Sequence, residues 1–475
     1  MDSDIRVVKV DVFKVRAVAR TPLSFGNVVV TDLPIGYACA TVENRAGKVA
    51  TGWGAMFLMH LWSWPVARAS AEARSRVICE LFDAYARIVC EGAGYGHPIQ
   101  LFAESEDRLN AANREISAEH APGEVMPFLG ALVAASPIDH AIHDAFGNVN
   151  GIDSYRGYGP EWMPDLSRFL GRDFGGVYPS QFLTQDYAPR VPIFHLVGGL
   201  DFLTAGEVKG DLPDDGVPNS LDRWIERDGV FCLKVKLHAR DMDWDLARTI
   251  AVARLYHEVR TSARRDLPER PFLTVDFNEQ CESPEYVVEY LRRMSETAPE
   301  VYRDLLYIEQ PVHRDLAAHP HDMRGISSLK PVLADESLTT VEDMRRAMAL
   351  GWSGIALKSC KCLSSDLMLV CAAELAGVPY AIQDLTNPSI AQLESIGLAA
   401  RIHPIKGVEA NSRQFFPAAN EIVAQAHHDL FSIRDGYART RSMTGTGLGM
   451  NLDAVAGFRR AIEEADRAYR SQQTV

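Results

Sequence analysis

Residues 231–241 have the sequence FCLKVKLHARD, in which two lysines lie two positions apart within an otherwise apolar stretch. Because residues i and i+2 of a β-strand point to the same face, a strand here places Lys234 and Lys236 side by side. A strand this apolar is typical of a parallel sheet that is buried on both faces. Two ammonium groups held that close repel each other, so their place in a buried strand requires an explanation from the rest of the sequence.

Similar short apolar runs alternate with amphipathic helices from residue 191 onward. This alternation predicts a parallel sheet covered by helices. Seven or eight such units over about 220 residues fit a barrel better than an open sheet. We therefore predict a (β/α)7β, TIM-like barrel as the catalytic domain over residues 191–410. The predicted strands are residues 191–197, 231–236, 272–276, 305–309, 331–335, 354–358 and 378–384.

The remainder of the chain is predicted to form an α+β capping domain. Residues 1–190 would supply most of it, together with a connector to the barrel, because the chain begins with β-type sequence. A turn is predicted at Asn44–Gly47, and helices are predicted over residues 70–92 and 128–147. Residues 411–475 are expected to form a C-terminal segment that returns to the cap.

The composition is that of an ordinary globular protein, with 47% hydrophobic and 24% charged residues. The formal net charge is −14, which argues against nucleic acid or an anionic membrane as a partner. No run approaches the roughly 18 apolar residues of a membrane span, and the acidic N-terminus lacks the apolar core of a signal peptide. The eight cysteines are scattered, so we expect reduced thiols and a cytoplasmic location.

Five successive predicted strands end on a charged residue. A single charged strand end usually marks only the point where a strand meets solvent. In a parallel barrel, however, these ends gather at one rim, where active sites lie. Three neighbouring acids repel each other unless a cation binds them, and ligation by oxygen alone favours a hard ion such as Mg²⁺. The five residues are Lys236, Asp276, Glu309, Asp335 and Lys358.

The stretches LKVK, VDFNEQ, YIEQP, LADES and IALKSCK resemble, in order and spacing, the successive signatures of the enolase superfamily. They are most similar to its mandelate racemase / muconate lactonizing enzyme branch. The resemblance covers the whole barrel. It extends more weakly to SPIDHAIHDAFG at residues 136–147 of the cap and to GTGLGMNLD at residues 445–453 of the tail.

The resemblance implies a magnesium enzyme, with Mn²⁺ as a substitute metal. Lys236 would act as acid or base on one face of the substrate and Lys358 on the opposite face. The positive charge of Lys234 and the metal would lower the pKa of Lys236 toward the working range. The implied metal ligands are Asp276, Glu309 and Asp335.

Further residues of the same motifs would lie around this centre. The resemblance implies that Asn278 and Gln310 lie beside the metal ligands as supporting groups. Lys361 has a matching lysine in the resembled family, but no single role follows for it. Strand alternation predicts that Glu336 points away from the lumen and is structural.

The sequence departs from the racemase type, which uses an Asp–His pair from the sixth and seventh strands. The sixth strand ends in Lys358 and the seventh contains no histidine. This favours the two-lysine type, which includes muconate cycloisomerases, dipeptide epimerases, N-acylamino-acid racemases and o-succinylbenzoate synthase. The stretch QDLTNPSIAQLES after the seventh strand matches none of these activities.

Four further side chains have two interpretations each. Asp384 and Asn387 either line the pocket or only turn the chain and cap the next helix. Glu409 either ends the eighth strand, as an acid does in the cycloisomerases, or is a surface acid. Trp62, in the aromatic loop MHLWSWPVA at residues 59–67, either closes over the barrel mouth or packs against the cap or another subunit.

The expected reaction is abstraction of the α-proton of a small carboxylate substrate to give an enediolate. Removing that proton builds a dianion, which a divalent cation stabilises. Lysines on both faces would then give epimerisation, racemisation or cycloisomerisation. The alternatives are a dehydratase of acid sugars or hydroxy acids on the same scaffold and a non-catalytic relative. Since barrels of the resembled family commonly assemble, a homo-oligomer is expected.

Overall fold

The N-terminal part of the chain folds into a three-stranded antiparallel sheet, in a computed structural model that describes residues 1–25, 28–92, 94–452 and 455–473. Asp453, the last residue of the GTGLGMNLD stretch, lies outside the described residues, as do three other residues of the predicted C-terminal segment. The strands are β1 (Ile5–Phe25), β2 (Val28–Asn44) and β3 (Val49–Phe57), in the order β1-β2-β3.

The predicted turn at Asn44–Gly47 is confirmed. The side-chain Oδ1 of Asn44 accepts hydrogen bonds from the backbone N–H groups of Ala46 and Lys48, each at 3.1 Å. Gly47 has a φ of 76°, which glycine adopts without strain. This turn joins β2 to β3.

Four helices complete the first half of the cap. The second helix begins where the Ser70 side chain accepts a hydrogen bond from the N–H of Ala73. The helices predicted over residues 70–92 and 128–147 are confirmed, whereas the first and third helices were not predicted. The four are α1 (His60–Ser63), α2 (Ala71–Glu91), α3 (Pro98–His120) and α4 (Phe128–Asn150).

Eight parallel strands form a closed barrel, as predicted. Each strand pairs with the next along the chain, and the last pairs with the first through Val408 opposite Ile193 and Glu409 opposite Phe194. A further strand, β12 (Tyr437–Arg439), adds antiparallel to the first barrel strand. The barrel strands are β4 (Arg190–Val197), β5 (Cys232–Lys236), β6 (Phe272–Asp276), β7 (Leu305–Glu309), β8 (Val332–Ala334), β9 (Gly354–Lys358), β10 (Tyr380–Gln383) and β11 (Val408–Glu409).

Helices cover the outside of the barrel and continue into the C-terminal tail. Within the described ranges, no helix is both long enough and apolar enough to cross a membrane. The helices are α5 (Ser167–Leu170), α6 (Leu221–Asp228), α7 (Met242–Ser262), α8 (Pro284–Thr297), α9 (Pro299–Asp304), α10 (Arg324–Ser327), α11 (Val341–Ala349), α12 (Leu363–Ala376), α13 (Ile390–Ala399), α14 (Ser412–Phe415), α15 (Pro417–Ala424), α16 (His428–Phe431) and α17 (Phe458–Gln473).

Helix α4 lies between the cap sheet and the barrel, and two glycines of β3 allow it to approach closely. A Cβ on Gly52 would lie 2.1 Å from the backbone nitrogen of Ala145, and one on Gly54 would lie 2.2 Å from the carbonyl oxygen of Pro137. On its other side, α4 donates a hydrogen bond from Ser136 Oγ to the carbonyl oxygen of Ser359 at 2.7 Å. Because Ser359 directly follows β9, α4 connects the cap sheet to the end of a barrel strand.

The end of the chain packs back on the cap sheet through α17. The Asp466 carboxylate accepts a hydrogen bond from the backbone N–H of Lys14 at 2.8 Å. The ring of Phe458 packs edge-on against Trp53 of β3, with 5.0 Å between the ring centres. The cap therefore contains residues from both ends of the described chain.

We expect that Gly52→Ala destabilises the protein, because the added methyl group would collide with the backbone of α4. Overpacking of this kind costs about 1–3 kcal/mol, so the thermal midpoint should fall. Gly94→Ala is the matched control, since a Cβ there meets nothing within 4 Å. Equal thermal midpoints for the two variants would contradict the close packing of α4 on β3.

Candidate active site

The charged ends of the barrel strands form one buried cluster at the C-terminal rim. Lys236, Asp276 and Glu309 are neighbours in register across β5, β6 and β7. Asp276, Glu309 and Asp335 are each fully buried, at 0% exposure. Carboxylates buried this deeply require counter-charges or hydrogen bonds.

Lys234 supplies counter-charge to three carboxylates at once. Its Nζ lies 2.8 Å from Glu309, 3.1 Å from Asp276 and 2.6 Å from Glu409. Burial opposes its positive charge, but the neighbouring carboxylates outweigh burial and raise the pKa of Lys234 well above its usual value. Lys234 is therefore a permanent ammonium group in the floor of the site.

Lys236 lies nearer the opening of the barrel than Lys234. Its side chain is 13% exposed, and its Nζ lies 2.5 Å from Asp276 and 2.8 Å from Asn278 Oδ1. Burial would raise the pKa of Asp276, but Lys236 and Lys234 together hold it below its usual value. Asn278 thus holds the amine of Lys236 through a hydrogen bond.

On the other side of the barrel, Lys358 and Lys361 share Asp335. The Nζ of Lys358 lies 2.6 Å from Asp335 Oδ2, and the Nζ of Lys361 lies 3.1 Å from Oδ1. Despite burial, these two lysines lower the pKa of Asp335 to about 2. The same carboxylate outweighs burial at Lys358, whose pKa is raised above its usual value. The Lys358 ammonium also lies 4.4 Å from the centre of the Trp62 ring, within range of a cation–π contact.

Gln310 and Gln383 connect neighbouring strand ends. Gln310 Oε1 accepts a hydrogen bond from the backbone N–H of Asp335 at 2.8 Å. Gln383 accepts from Lys234 Nζ at 2.8 Å and donates to Glu309. Sequence reasoning missed Gln383, although its place at the end of β10, in register with Lys358, marks it as a rim residue.

The structure distinguishes between the two interpretations of Glu409, Asp384 and Asn387. Glu409 ends β11 and is buried at 4% exposure, so it is not a surface acid. Asp384 lines the same cavity as Lys236, and burial together with Glu409 raises its pKa to about 7. Asn387 lies behind the rim, where its side-chain amide donates to Ser359 and Ser395 at 3.0 and 2.8 Å.

Glu336 lies in the site, contrary to the expectation that it points away. It accepts hydrogen bonds from Trp62 Nε1 at 3.0 Å and from Asn278 Nδ2 at 3.1 Å. The alternation rule does not apply because β8 ends at Ala334, two residues earlier. Burial and the nearby Asp335 raise the pKa of Glu336 to about 7.

Three of the non-glycine residues with positive φ lie just beyond the ends of β6 and β7. Asn278, Glu279 and Gln310 have φ angles of 41°, 66° and 28°. Residues with a Cβ rarely adopt positive φ, and each such residue costs about 1–3 kcal/mol. The side chains of these residues reach Lys236, Arg314 and Asp335, respectively. These three strained positions therefore each hold a charged or backbone group of the rim in place.

Two cavities meet at Trp62. An inner cavity of about 40 Å³ lies among the rim residues, and an outer cavity of about 770 Å³ lies beneath the cap loop at residues 59–67. Trp62 and Asn278 line both. The inner cavity is lined by Leu23, Met59, Trp62, Leu196, Lys234, Lys236, Asn278, Lys358, Asp384, Leu385, Thr386, Glu409 and Asn411.

The rim fits a hard divalent cation by donor type. Six buried carboxyl groups supply oxygen atoms beside four lysines, and burial together with neighbouring carboxylates raises the pKa of Glu309, Glu336 and Asp384. Oε2 of Glu336 accepts no hydrogen bond from any described residue. Oxygen donors are the ligands that Mg²⁺ prefers. The groups are Asp276, Glu309, Asp335, Glu336, Asp384 and Glu409 with Lys234, Lys236, Lys358 and Lys361.

The three predicted metal ligands do not form a compact triad. Within the described part of the chain, the set of three potential ligands whose donor atoms lie within 4.8 Å of one another is Glu80, Glu119 and His120, on the cap surface. At the rim, the ammonium group of Lys234 contacts both Asp276 and Glu309. Lysines thus occupy the positions around these carboxylate oxygens.

Comparison with known protein families assigns the barrel. The model of the family described as enolase C-terminal domain-like matches residues 217–456, about half of the chain. The chain belongs to the enolase superfamily. Its predicted membership is therefore confirmed, and the matched residues contain β5 to β11 and all four rim lysines.

Solved structures with the same fold include three that carry ligands. An enolase from Bradyrhizobium with magnesium and mandelic acid is 17% identical, with a TM-score of 0.57 over 96% of this chain and 99% of that one. A muconate lactonizing enzyme from Mycobacterium smegmatis with muconolactone is 17% identical, with a TM-score of 0.56 over 94% and 96%. The substrate-liganded L-Ala-D/L-Glu epimerase from Bacillus subtilis is 15% identical, with a TM-score of 0.57 over 94% and 98%. No curated protein sequence matches the chain.

We expect that Lys234→Met strongly destabilises the fold, because it leaves three buried carboxylates without their shared counter-charge. Breaking a buried ion pair by removing one partner costs about 3–5 kcal/mol. Denaturant unfolding at neutral pH measures the loss. Lys48→Met, at an exposed lysine beside the β2–β3 turn, should change stability by less than about 0.5 kcal/mol. A similar change in both variants would contradict the role assigned to Lys234.

Proposed function

We propose that this protein is a magnesium-dependent enzyme that removes the α-proton of a carboxylate substrate to give an enediolate, followed by epimerisation, racemisation or cycloisomerisation. The placement of Lys236 and Lys358 carries the proposal. They end β5 and β9, which are four strands apart in a ring of eight and so lie on opposite sides of the barrel. Both line the inner cavity. A small substrate held there would have one amine on each face.

The acids that would hold the metal lie between these lysines on one arc of the rim. Asp276, Glu309 and Asp335 follow β6, β7 and β8 or end them. A bound Mg²⁺ ion would supply Lewis-acid stabilisation to the substrate carboxylate as negative charge develops on it. The remaining chemistry belongs to the side chains of this chain.

The two lysines differ in their surroundings, which suggests different starting roles. The raised pKa of Lys358 favours its protonated form, so it is suited to donate a proton to the α-carbon. Lys236 is the less buried of the two and is held by the neutral acceptor Asn278 as well as by Asp276. It is placed to accept the proton from the opposite face. The buried Lys234 would hold its charge throughout.

The substrate is proposed to be a small carboxylate, because the inner cavity is small and its wall carries lysines. Both the reacting carbon and the carboxylate would have to lie within reach of Lys236 and Lys358 at once. We therefore propose the two-lysine type rather than the racemase type, which is supported by the described residues of β10, since they end in Gln383 without a histidine.

The reaction is tested by screening carboxylates for uptake of solvent deuterium at the α-carbon in the presence of Mg²⁺. Lys236→Ala and Lys358→Ala should each lower the exchange by about 10²–10⁴-fold for the enantiomer whose proton faces the missing amine. Lys48→Ala, at the exposed lysine, is the control and should exchange at the wild-type rate. Exchange that survives in both catalytic variants would contradict the assigned roles. Formation of a 2-keto acid would instead indicate the dehydratase.

Metal binding is tested separately by thermal unfolding with and without MgCl₂. A ligand that binds only the folded state stabilises it by about 2.7 kcal/mol at a hundredfold excess over Kd, so the midpoint of the wild-type protein should rise. In Asp335→Asn the rise should be lost. Glu342→Gln, at an acid that is 68% exposed in the first turn of α11, should show the wild-type rise. An equal rise in both variants would contradict a metal site at the rim.

A further inference from the structure

Trp62 attaches the cap loop to the ends of three adjacent barrel strands. Its backbone oxygen accepts a hydrogen bond from Arg314 Nη1 at 2.9 Å. Its indole Nε1 donates to Glu336 at 3.0 Å, and its ring lies 4.4 Å from the Lys358 ammonium. Arg314 follows β7, Glu336 follows β8 and Lys358 ends β9. One residue of the cap therefore contacts segments at the ends of three of the eight barrel strands.

The partners of Trp62 are themselves firmly held. Arg314 makes a forked ion pair with Glu279, with its Nε 2.9 Å and its Nη2 2.5 Å from Glu279 Oε1. Paired guanidinium and carboxylate groups of this kind fix geometry as well as charge. Arg314 cannot leave Trp62 without breaking that pair. The anchor for the cap loop is therefore part of the rigid barrel.

Glu336 connects Trp62 to Lys236, the other lysine of the proposed reaction. It accepts hydrogen bonds from both Trp62 Nε1 and Asn278 Nδ2, and Asn278 Oδ1 in turn accepts from Lys236 Nζ at 2.8 Å. Trp62 thus contacts Lys358 directly and is connected to Lys236 through two side chains. The amines on both faces of the inner cavity are therefore linked to the same indole ring, in addition to their ion pairs with Asp276 and Asp335.

The same ring separates the two cavities. The inner cavity, at about 40 Å³, has room for two or three water molecules. The outer cavity is about 770 Å³ and shares Trp62 and Asn278 with it. Displacement of Trp62 would join the two spaces.

We propose that Trp62 is a positioning residue that acts as a latch between the cap loop and the barrel. With Trp62 seated on Glu336 and Arg314, its indole contacts Lys358 directly and Lys236 through Glu336 and Asn278, and so holds both amines in place. Release of Trp62 widens the path from the outer cavity to the inner one, through which a carboxylate substrate reaches the lysines. The catalytic consequence rests on the proposed function, whereas the attachment of the loop does not.

The attachment is tested by amide hydrogen exchange of residues 59–67 in the full-length protein. Trp62→Leu removes the ring and the donor, and Glu336→Ala removes the acceptor. Each should raise exchange in this segment about tenfold or more, as expected for loss of a hydrogen bond to a charged group. Glu336→Gln keeps an acceptor oxygen and should retain most of the protection. Trp64→Phe, at the neighbouring buried tryptophan, is the matched control and should remain within about twofold of wild type.

The effect on the lysines is tested by the rate of deuterium exchange into the carboxylate found in the screen. Trp62→Phe keeps a ring over Lys358 but lacks the N–H donor to Glu336. We expect it to lower kcat about tenfold with a smaller change in KM, because it acts on the lysines rather than on substrate contacts. Trp62→Leu should be worse, and combining Trp62→Phe with Glu336→Ala should cost little more than Glu336→Ala alone.

The two measurements separate the possible failures. Unchanged amide exchange at residues 59–67 in both Trp62→Leu and Glu336→Ala overturns the latch, whatever the activity. A loosened loop with wild-type kcat overturns the positioning of the lysines. If no carboxylate exchanges deuterium with the wild-type protein, the proposed function fails, and the amide exchange still decides whether the latch exists.

Discussion

The balance of charge at the carboxyl end of the barrel is the constraint on which the rest of this structure depends. Fully buried carboxylates on neighbouring strands would repel each other and resist folding without counter-charges. Lys234 lies at the centre of that balance, since its ammonium group contacts Glu309, Asp276 and Glu409. Lys236, whose side chain is more exposed than that of Lys234, lies above this centre and nearer the opening.

The cap completes the site by contact with the same strand ends rather than by covering them loosely. Helix α4 packs on β3 through Gly52 and Gly54 and holds the residue after β9 through Ser136. The cap loop adds Trp62, whose ring lies against Lys358. The cap therefore helps to position Lys358. Ser136 of α4 binds the residue that follows this lysine, and Trp62 of the cap loop packs against its ammonium group.

Much of the barrel could be predicted from the sequence because its strands are short, apolar and end on charged residues. The predicted strands at residues 272–276, 305–309 and 354–358 have the observed boundaries. Helix α3 escaped prediction because polar residues such as Asn113 and Ser117 are buried along it, which interrupts the apolar period. Its existence depends on contacts with the rest of the cap.

The sequence pattern itself predicts site residues where side chains project from regular strands, whereas the resemblance was needed for residues beyond the strand ends, such as Asn278 and Lys361. Lys236, Asp276 and Glu309 follow from strand alternation and register. Glu336 does not, since it lies beyond the last residue of β8 and the backbone there no longer alternates. The contact between Trp62 and Glu336 joins residues 274 positions apart in the chain, a separation that local sequence patterns do not encode.

The left-handed backbone at Asn278, Glu279 and Gln310 has a consequence for how this protein can change. Glycine adopts positive φ without strain, so substitution by glycine at each of these positions is expected to raise the thermal stability of the protein. Each would also remove a side chain that orients a charged group. Selection for heat resistance alone would therefore favour glycine at these three positions and lower the turnover rate. Selection for turnover would instead retain the strained residues.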